Sequence, residues 1–308
     1  MPLDYDKLRR WPFAPVTQRY CERDTILYAL GLGAASSNPI APDDLKFVYE
    51  EGLVSLPTMG VVLAAGPFWM QDPDSGIDWR RILHGEQMLH VHKPLPPEGE
   101  VIGEQTVDEI YDKGADKGAV MYLTRKLYDA ASGDLLMSVG SSCFMRGNGG
   151  FGGRADGAPK PHPVPADRAP DLMLDLPTRP EQAALYRLSG DYNPLHIDPA
   201  VSRAGGFDKP ILHGLCCYGV VGRAVLKLLC GNDPARLHRL DVRFASPVFP
   251  GETIRTEVWN EAPGRAAFRA RALERDVLIV NNGRVEFDPP EAEPAVFKTE
   301  LAQFDPVI

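Results

Sequence analysis

The chain has 308 residues, about two domains at roughly 150 residues each, enough to fold without disulfide or metal staples. With 44% hydrophobic and 24% charged residues, its composition is that of a globular protein rather than a disordered or fibrous one. Lys plus Arg total 33 against 42 Asp plus Glu, a net charge of −9. That balance argues against a nucleic-acid partner but leaves room for a small anion held by local donors.

The N-terminal run MPLDYDKLRRWPF has no apolar signal core. The segment TILYALGLGAAS at 25–36 can be laid on AALYRLSGDYNP at 183–194, and an apolar helix is expected over Leu56–Gly66. VHKPLPPEGE at 91–100 reads as a proline-glycine turn feeding a strand. From Gly149 to Pro180, seven prolines and five glycines in 32 residues exclude a helix and make a poor strand. That stretch reads as a linker, leaving an N-terminal domain at 1–148 and a C-terminal one at 181–308.

Beyond it, Thr178-Arg-Pro-Glu181 has the pattern of a capping box opening a helix over Gln182–Leu188. A long, almost all-round apolar helix is expected at Ile211–Cys230, and FASPVFPGE at 244–252 repeats the turn-to-strand pattern of the first half. After it Ile254, Thr256 and Val258 alternate with Arg255, Glu257 and Trp259, with further β-rich runs at Ala267–Leu273 and Val277–Val280. Leu27-Tyr28 can be laid on Leu185-Tyr186, so each half reads as helices followed by a meander of strands. The class is α+β. An all-round apolar helix must be wrapped on most sides, and a curved antiparallel sheet would do so.

The apolar stretches around Val61–Trp69 and Leu215–Gly222 are far shorter than the roughly 20 residues of a membrane span. The final FDPVI carries no peroxisomal SKL address. Cys21, Cys143, Cys216, Cys217 and Cys230 are odd in number and form no CxxC pair, so neither a disulfide framework nor a zinc ribbon is suggested. Reduced thiols in a soluble cytoplasmic protein, with no membrane partner, are expected.

Chemistry concentrates at Asp191-Tyr-Asn-Pro-Leu-His196, just after Ser189-Gly190. Pro194 biases Asn193 away from helical geometry, so the segment is a tight turn projecting Asp191, Asn193 and His196. An Asp and a His on one rigid turn can form an acid/base pair. Asp-x-Asn-Pro is equally ordinary turn chemistry, in which Asx side chains bond their own backbone.

The run YRLSGDYNPLH at 186–196, followed by AGGFDKPILHG at 204–214, resembles the hydratase 2 motif of the MaoC-like family. The resemblance extends from about Arg19 to Phe287, through DLKFVYEEGLVSLPTMGVV, LHGEQMLHVHKPLPPEGEV, the DKG at 112–114, GGFGG at 149–153 and RFASPVFPGET. It implies a tandem hot-dog fold, each antiparallel sheet wrapped around a central apolar helix, and the two-hot-dog (R)-specific 2-enoyl-CoA hydratase activity. It further implies a CoA-thioester substrate, no cofactor, no metal and a homodimer.

By the same resemblance Asp191 and His196 match the catalytic dyad, and Asn193 the residue that helps hold the catalytic water. The Gly214 backbone N–H matches the oxyanion donor, in keeping with the free N–H groups of a helix start. His84, Gly85, Lys113 and Phe244 fall where the family contacts the CoA ester. Each has a plainer alternative: Gly214 as a close-packing glycine, His213 as a core or capping histidine, Lys113 as a solvated loop charge, Phe244 as core. Cys216-Cys217 suit buried, inert thiols in an apolar helix.

Where Asp191 lies in the second half, the first half has Gly33, then Ala34-Ala35-Ser36 without a histidine. One active site per chain is expected, the first half supplying walls for acyl chain and CoA. Relatives with such a degenerate half tend to take long or bulky chains, so fatty, branched and steroid side-chain esters, and a dehydratase role in synthesis, all remain open. Rival readings are a hot-dog thioesterase, a metal hydrolase using His196, Asp198 and His213, and a non-catalytic CoA-ester-binding protein.

Overall fold

In the β-rich second half Ile254, Thr256 and Val258 are fully buried, but Glu257 and Trp259 on the opposite face are buried too, so the strand expected to be half-buried is covered on both faces there. The computed structural model describes residues 3–36 and 40–290; the C-terminal FDPVI lies outside them. The first half contributes β1 (Val16–Tyr20), β2 (Ile82–Val91), β3 (Gly99–Asp112), β4 (Ala119–Asp129) and β5 (Leu135–Met145). The second contributes β6 (Leu172–Pro177), β7 (Leu237–Phe244), β8 (Thr253–Ala262), β9 (Arg265–Ala272) and β10 (Val277–Phe287).

All ten form one sheet in the order β1-β3-β4-β5-β2-β7-β10-β9-β8-β6. Read outward from the centre, both halves have the same order, so the weak sequence repeat is a structural repeat and the chain is the expected tandem hot-dog. The two copies do not keep separate sheets. β2 pairs antiparallel with β7, setting Leu89 opposite Leu240, both wholly buried, at the seam.

Among the described residues six α-helices accompany the sheet: α1 (Tyr5–Arg9), α2 (Glu22–Gly31), α3 (Pro42–Leu45), α4 (Gln182–Tyr186), α5 (Pro199–Ala204) and α6 (Gly214–Leu229). The residue pair that aligns the repeat also meets in space: Tyr28 of α2 and Tyr186 of α4 are buried with ring centroids 6.0 Å apart. Gln182 Nε2 donates to the Gly31 carbonyl across the same junction.

The central helix is α6, shorter than Ile211–Cys230 because His213 is its extended N-cap. Every residue from Cys216 to Leu226 is buried. Gly219 and Gly222 let its neighbours approach: a Cβ on Gly219 would stand 2.5 Å from Leu32, and one on Gly222 would stand 2.7 Å from Thr58. The one charge buried in this helix, Arg223, is matched by Asp44 of α3 at 3.0 Å and donates to the Leu32 carbonyl.

The first half has no such helix among the described residues. Instead of a helix over Leu56–Gly66, a single 3-10 turn covers Pro57–Val61. Ala64 is left-handed, and Gly66-Pro67 prevents recovery. Apolar content alone does not separate a buried helix from a buried turn. The absent helix leaves space inside the first half.

Three other expectations change. The capping box does not form; Thr178 Oγ1 donates to the Glu252 carbonyl and accepts from Gly251 N–H, tying β6 to the turn before β8. The linker ends earlier than Pro180, because Leu172–Pro177 is the edge strand β6, paired only with β8, where prolines are tolerated. The strand at Val277 runs on to Phe287, since Asn281-Asn282-Gly283 is a bulge with left-handed Asn282 rather than a turn. The segment before β6 straps the outer face of the second half, where the Trp259 indole donates to the Arg168 carbonyl.

Close packing of α6 has a measurable consequence. Gly222→Ala should gain helix propensity of up to about 1 kcal/mol, yet lose about 1–3 kcal/mol to the overlap with Thr58 and Leu240. Denaturant unfolding is expected to show a net loss; a gain would mean the Pro57–Val61 turn is only loosely held.

Candidate active site

Gly190, with φ +122°, reverses the chain after α4, and the next residues close a compact turn. Asp191 Oδ1 accepts from Asn193 N–H, and Asn193 Oδ1 accepts from Leu195 N–H, capping the 3-10 turn Pro194–His196. The Asx turn chemistry foreseen for this motif is therefore present, and it shapes the loop that carries Asp191 and His196. Asn193 is exposed and its Oδ1 is occupied by the cap, leaving Nδ2 for any water.

His196 points inward and is buried. Its Nδ1 lies 2.9 Å from the Ile211 carbonyl; a carbonyl only accepts, so Nδ1 carries the proton and neutral His196 offers a lone pair at Nε2. His213 stacks on it with ring centroids 3.8 Å apart, and by the same logic its Nε2 donates to the Asp191 carbonyl. His213 Nδ1 is buried without a partner. Asp191, His196 and His213 each bring a ligand atom within 4.8 Å of one another. Asp198, expected in a rival metal set, instead caps α5 through the Ala200 and Val201 N–H groups.

Gly214 is the first residue of α6, so its N–H is one that no carbonyl of its own helix can reach. The α6 dipole adds positive potential there. The face of Gly214 looks onto Phe244 at the end of β7, the ring 3.7 Å from where a Cβ would stand. Phe244 in turn meets His84 edge to face, centroids 4.9 Å apart. His84 reaches it from the other half because β2 carries a bulge between His84 and Glu86. Gly85 fills that bulge with no room for a side chain, since a Cβ would lie 2.8 Å from Ser142 Oγ. Six of the sequence-predicted residues thus converge: Asp191, Asn193, His196, Gly214, Phe244 and His84, with Gly85 shaping the approach.

Lys113 does not join them. Its Nζ donates to the Ala155 carbonyl and lies over the Tyr111 ring, and it lines neither cavity beside the cluster. Its neighbour Asp112 explains the flanking glycines: the carboxylate accepts N–H bonds from Gly114, Gly150 and Gly152. The DKG and GGFGG runs are one structural knot.

The cluster lies between two cavities. One, of about 270 Å³, is lined by His196, Ile197, Lys209, Pro210 and Pro250. The other, of about 260 Å³, lies in the first half beside the Pro57–Val61 turn; His84, Leu215, Trp69, Leu123, Val139, Gln105 and Arg125 are among its lining residues. Arg125 was missed in the sequence, although its signal is there: Met121, Leu123 and Leu127 are buried at alternate positions of β4, and an arginine interrupts the series. The thiols nearest the cluster are held protonated by burial. Burial pushes Cys217 up to about 12, and Cys143, on the cavity wall, likewise to about 12.

Comparison with known proteins agrees with this geometry. Residues 18–147 match the MFE-2 hydratase 2 N-terminal domain, and residues 163–282 match the MaoC like domain. The chain is 38% identical to a probable enoyl-CoA hydratase 2 of Dictyostelium discoideum over 94% of its own length and 98% of that protein's. It is 41% identical to mouse peroxisomal multifunctional enzyme type 2, matching over 88% of its own length but only 37% of that longer protein. A crystal structure of a MaoC-like dehydratase from Phytophthora capsici superposes with a TM-score of 0.82 at 38% identity, covering 92% of this chain and 99% of that one.

The stacked imidazoles dictate a pH dependence. Burial lowers the pKa of His213, and His196 beside it adds to the effect; burial also lowers His196, against the Ile211 carbonyl and the Asp191 charge. Unfolded histidine titrates near about 6.5, so below that pH the unfolded chain binds more protons than the folded one and stability falls. Melting temperature is expected to drop as pH is lowered through and below about 6.5, and His213→Gln should flatten that drop. An unchanged slope in the variant would show that the pair does not set it.

Proposed function

The chain belongs to the MaoC-like family, in the branch that pairs an MFE-2 hydratase 2 N-terminal domain with a MaoC-like domain, and on that premise we propose that it is an (R)-specific 2-enoyl-CoA hydratase. The reaction is reversible addition of water to a trans-2-enoyl-CoA, giving the (3R)-3-hydroxyacyl-CoA. The observation that carries this reading is the juxtaposition of a histidine with a free Nε2, its aspartate, and the first N–H groups of a buried helix.

In the proposed mechanism the thioester carbonyl accepts from Gly214 N–H, placing developing enolate charge at the positive end of α6. A water between Asp191 and His196 gives one proton to the dyad as its oxygen bonds to the β carbon; the dyad then delivers that proton to the α carbon, so the net change is addition of one water. Nε2 of His196 is the natural acceptor because Nδ1 is held by Ile211. His213 touches His196 from behind and holds the Asp191 backbone, which makes it a positioning residue. The thioester approaches over Phe244 and His84, and the acyl chain enters the first-half cavity.

Among the described residues the first half holds no second such cluster. At the position of Asp191 stands Gly33, and the Arg223–Asp44 pair lies against that turn. The proposal extends to a reducing cytoplasmic setting, consistent with five free thiols. It also extends to a homodimer, for which the exposed apolar residues Leu188, Tyr192 and Ile197 offer a surface. Among the described residues no helix is long and apolar enough to cross a membrane.

Two variants of one residue isolate the oxyanion donor. Gly214→Ala keeps the N–H and adds a Cβ that meets only ordinary contact. Gly214→Pro adds similar bulk but removes the N–H, at a first-turn position where proline suits the helix and follows an extended His213. Crotonyl-CoA hydration is expected to fall about 10²–10³ further in the proline variant; equal rates would remove Gly214 from the mechanism. Asp191→Asn and His196→Gln should each lose about 10²–10⁴ in kcat with the melting temperature near that of the parent. Near-parental turnover in either, or release of free CoA from saturated acyl-CoA, would contradict the assignment.

A further inference from the structure

The first-half cavity is apolar for most of its length but does not end that way. Arg125 of β4 lines its far part, with Gln105 beside it in register on β3. The Arg125 Nη2 donates to the Val61 carbonyl at 2.7 Å and, more weakly, to the Gly60 carbonyl at 3.5 Å, both on the short turn. The rest of the guanidinium is unmatched. Nε is buried with no partner, and Nη1 makes no hydrogen bond among the described residues. Arg125 forms no ion pair among the described residues, and no carboxylate lines the cavity. Burial without a compensating acid lowers its pKa to about 10. An arginine needed only to hold the Gly60–Val61 turn would use Nη2 alone, yet here Nε and Nη1 are left without an acceptor beside the cavity.

We propose that Arg125 is a binding site for a carboxylate at the ω end of the acyl chain, so that the enzyme takes ω-carboxy 2-enoyl-CoA esters in preference to their methyl-ended counterparts. A carboxylate would match the guanidinium in shape and charge. Neutral methyl ends would leave the buried cation unpaired, which is the less favourable state. The distance suits a long chain. β4 lies two strands from β2, about 10 Å across the sheet, and Arg125 lies four residues further along than the position opposite His84, about 13 Å. Short chains do not reach it. Selectivity at Arg125 rests on the hydratase reading, because it requires the thioester to be held at Gly214 and His84.

The test compares trans-2-decenoyl-, dodecenoyl- and hexadecenoyl-CoA with the corresponding ω-carboxylic acids and with the ω-methyl esters of those acids. For the parent enzyme, kcat/KM should favour the acid over the methyl-ended chain by about tenfold or more at the best length. The preference should sit mainly in KM, since the contact is remote from the reacting atoms, and should vanish for the neutral methyl ester. Arg125→Gln, which keeps a donor for Val61, should collapse the acid-to-methyl ratio by about the same factor; Arg125→Lys should restore part of it. No preference for the acid in the parent, or equal preference for its methyl ester, overturns the proposal without reference to any variant, so a variant that fails to fold does not decide the matter. Hydration of the methyl-ended series without an acid preference defeats only this inference. Hydration of neither series defeats the hydratase reading and this inference together.

Discussion

One apolar helix has to be kept from water, and the architecture follows from that need. From Cys216 to Leu226 every side of α6 is covered, which a single five-stranded sheet with one open face would not do. The second half wraps it with its own strands, and the first half closes the remaining side with Leu32 and Thr58, admitted by Gly219 and Gly222. Continuity of the sheet through β2 and β7 makes that closure rigid. The N-terminus of α6 then falls at the seam, where free N–H groups, a dyad from the preceding loop and residues from β2 can meet.

The two copies have diverged in complementary ways. The second keeps its helix and its reactive turn. Among its described residues the first shows neither: a short turn stands where a helix was expected, beside a cavity, and the turn at Gly33 is held by Arg223 reaching from the second half's helix. On the proposed function the pseudo-dimer thus carries one centre with a cavity of about 260 Å³ beside it. The same economy applies around the dyad, where Asx hydrogen bonds fold the loop and leave His196 positioned.

Much of this was legible in the sequence because it is local. The turn through Pro194 and the strand after Gly251 depend on neighbours a few residues away, and the structure places both, although Glu257 and Trp259 on the strand's other face are buried as well. Leu56–Gly66 was misread because a run of apolar residues has no period to betray a buried turn. Leu172–Pro177 was misread because an edge strand tolerates proline on its unpaired side. Thr178 found a partner in Glu252, distant in sequence, that competed successfully with the expected cap. His213 looked like a capping histidine; only the fold shows it stacked on His196. Arg125 was visible as a break in alternation, but its meaning depends on a cavity that no local pattern encodes.

The central claim is that one seam, built from α6, Asp191 and His196, adds water to one face of an enoyl thioester. The most direct measurement is incubation of the purified protein with trans-2-enoyl-CoA in D₂O, followed by chiral separation and mass analysis of the product. The account expects (3R)-3-hydroxyacyl-CoA carrying a single deuterium at the α carbon, with the thioester intact. A (3S) product, a racemic one, or free CoA in place of the hydroxyacyl ester would contradict it.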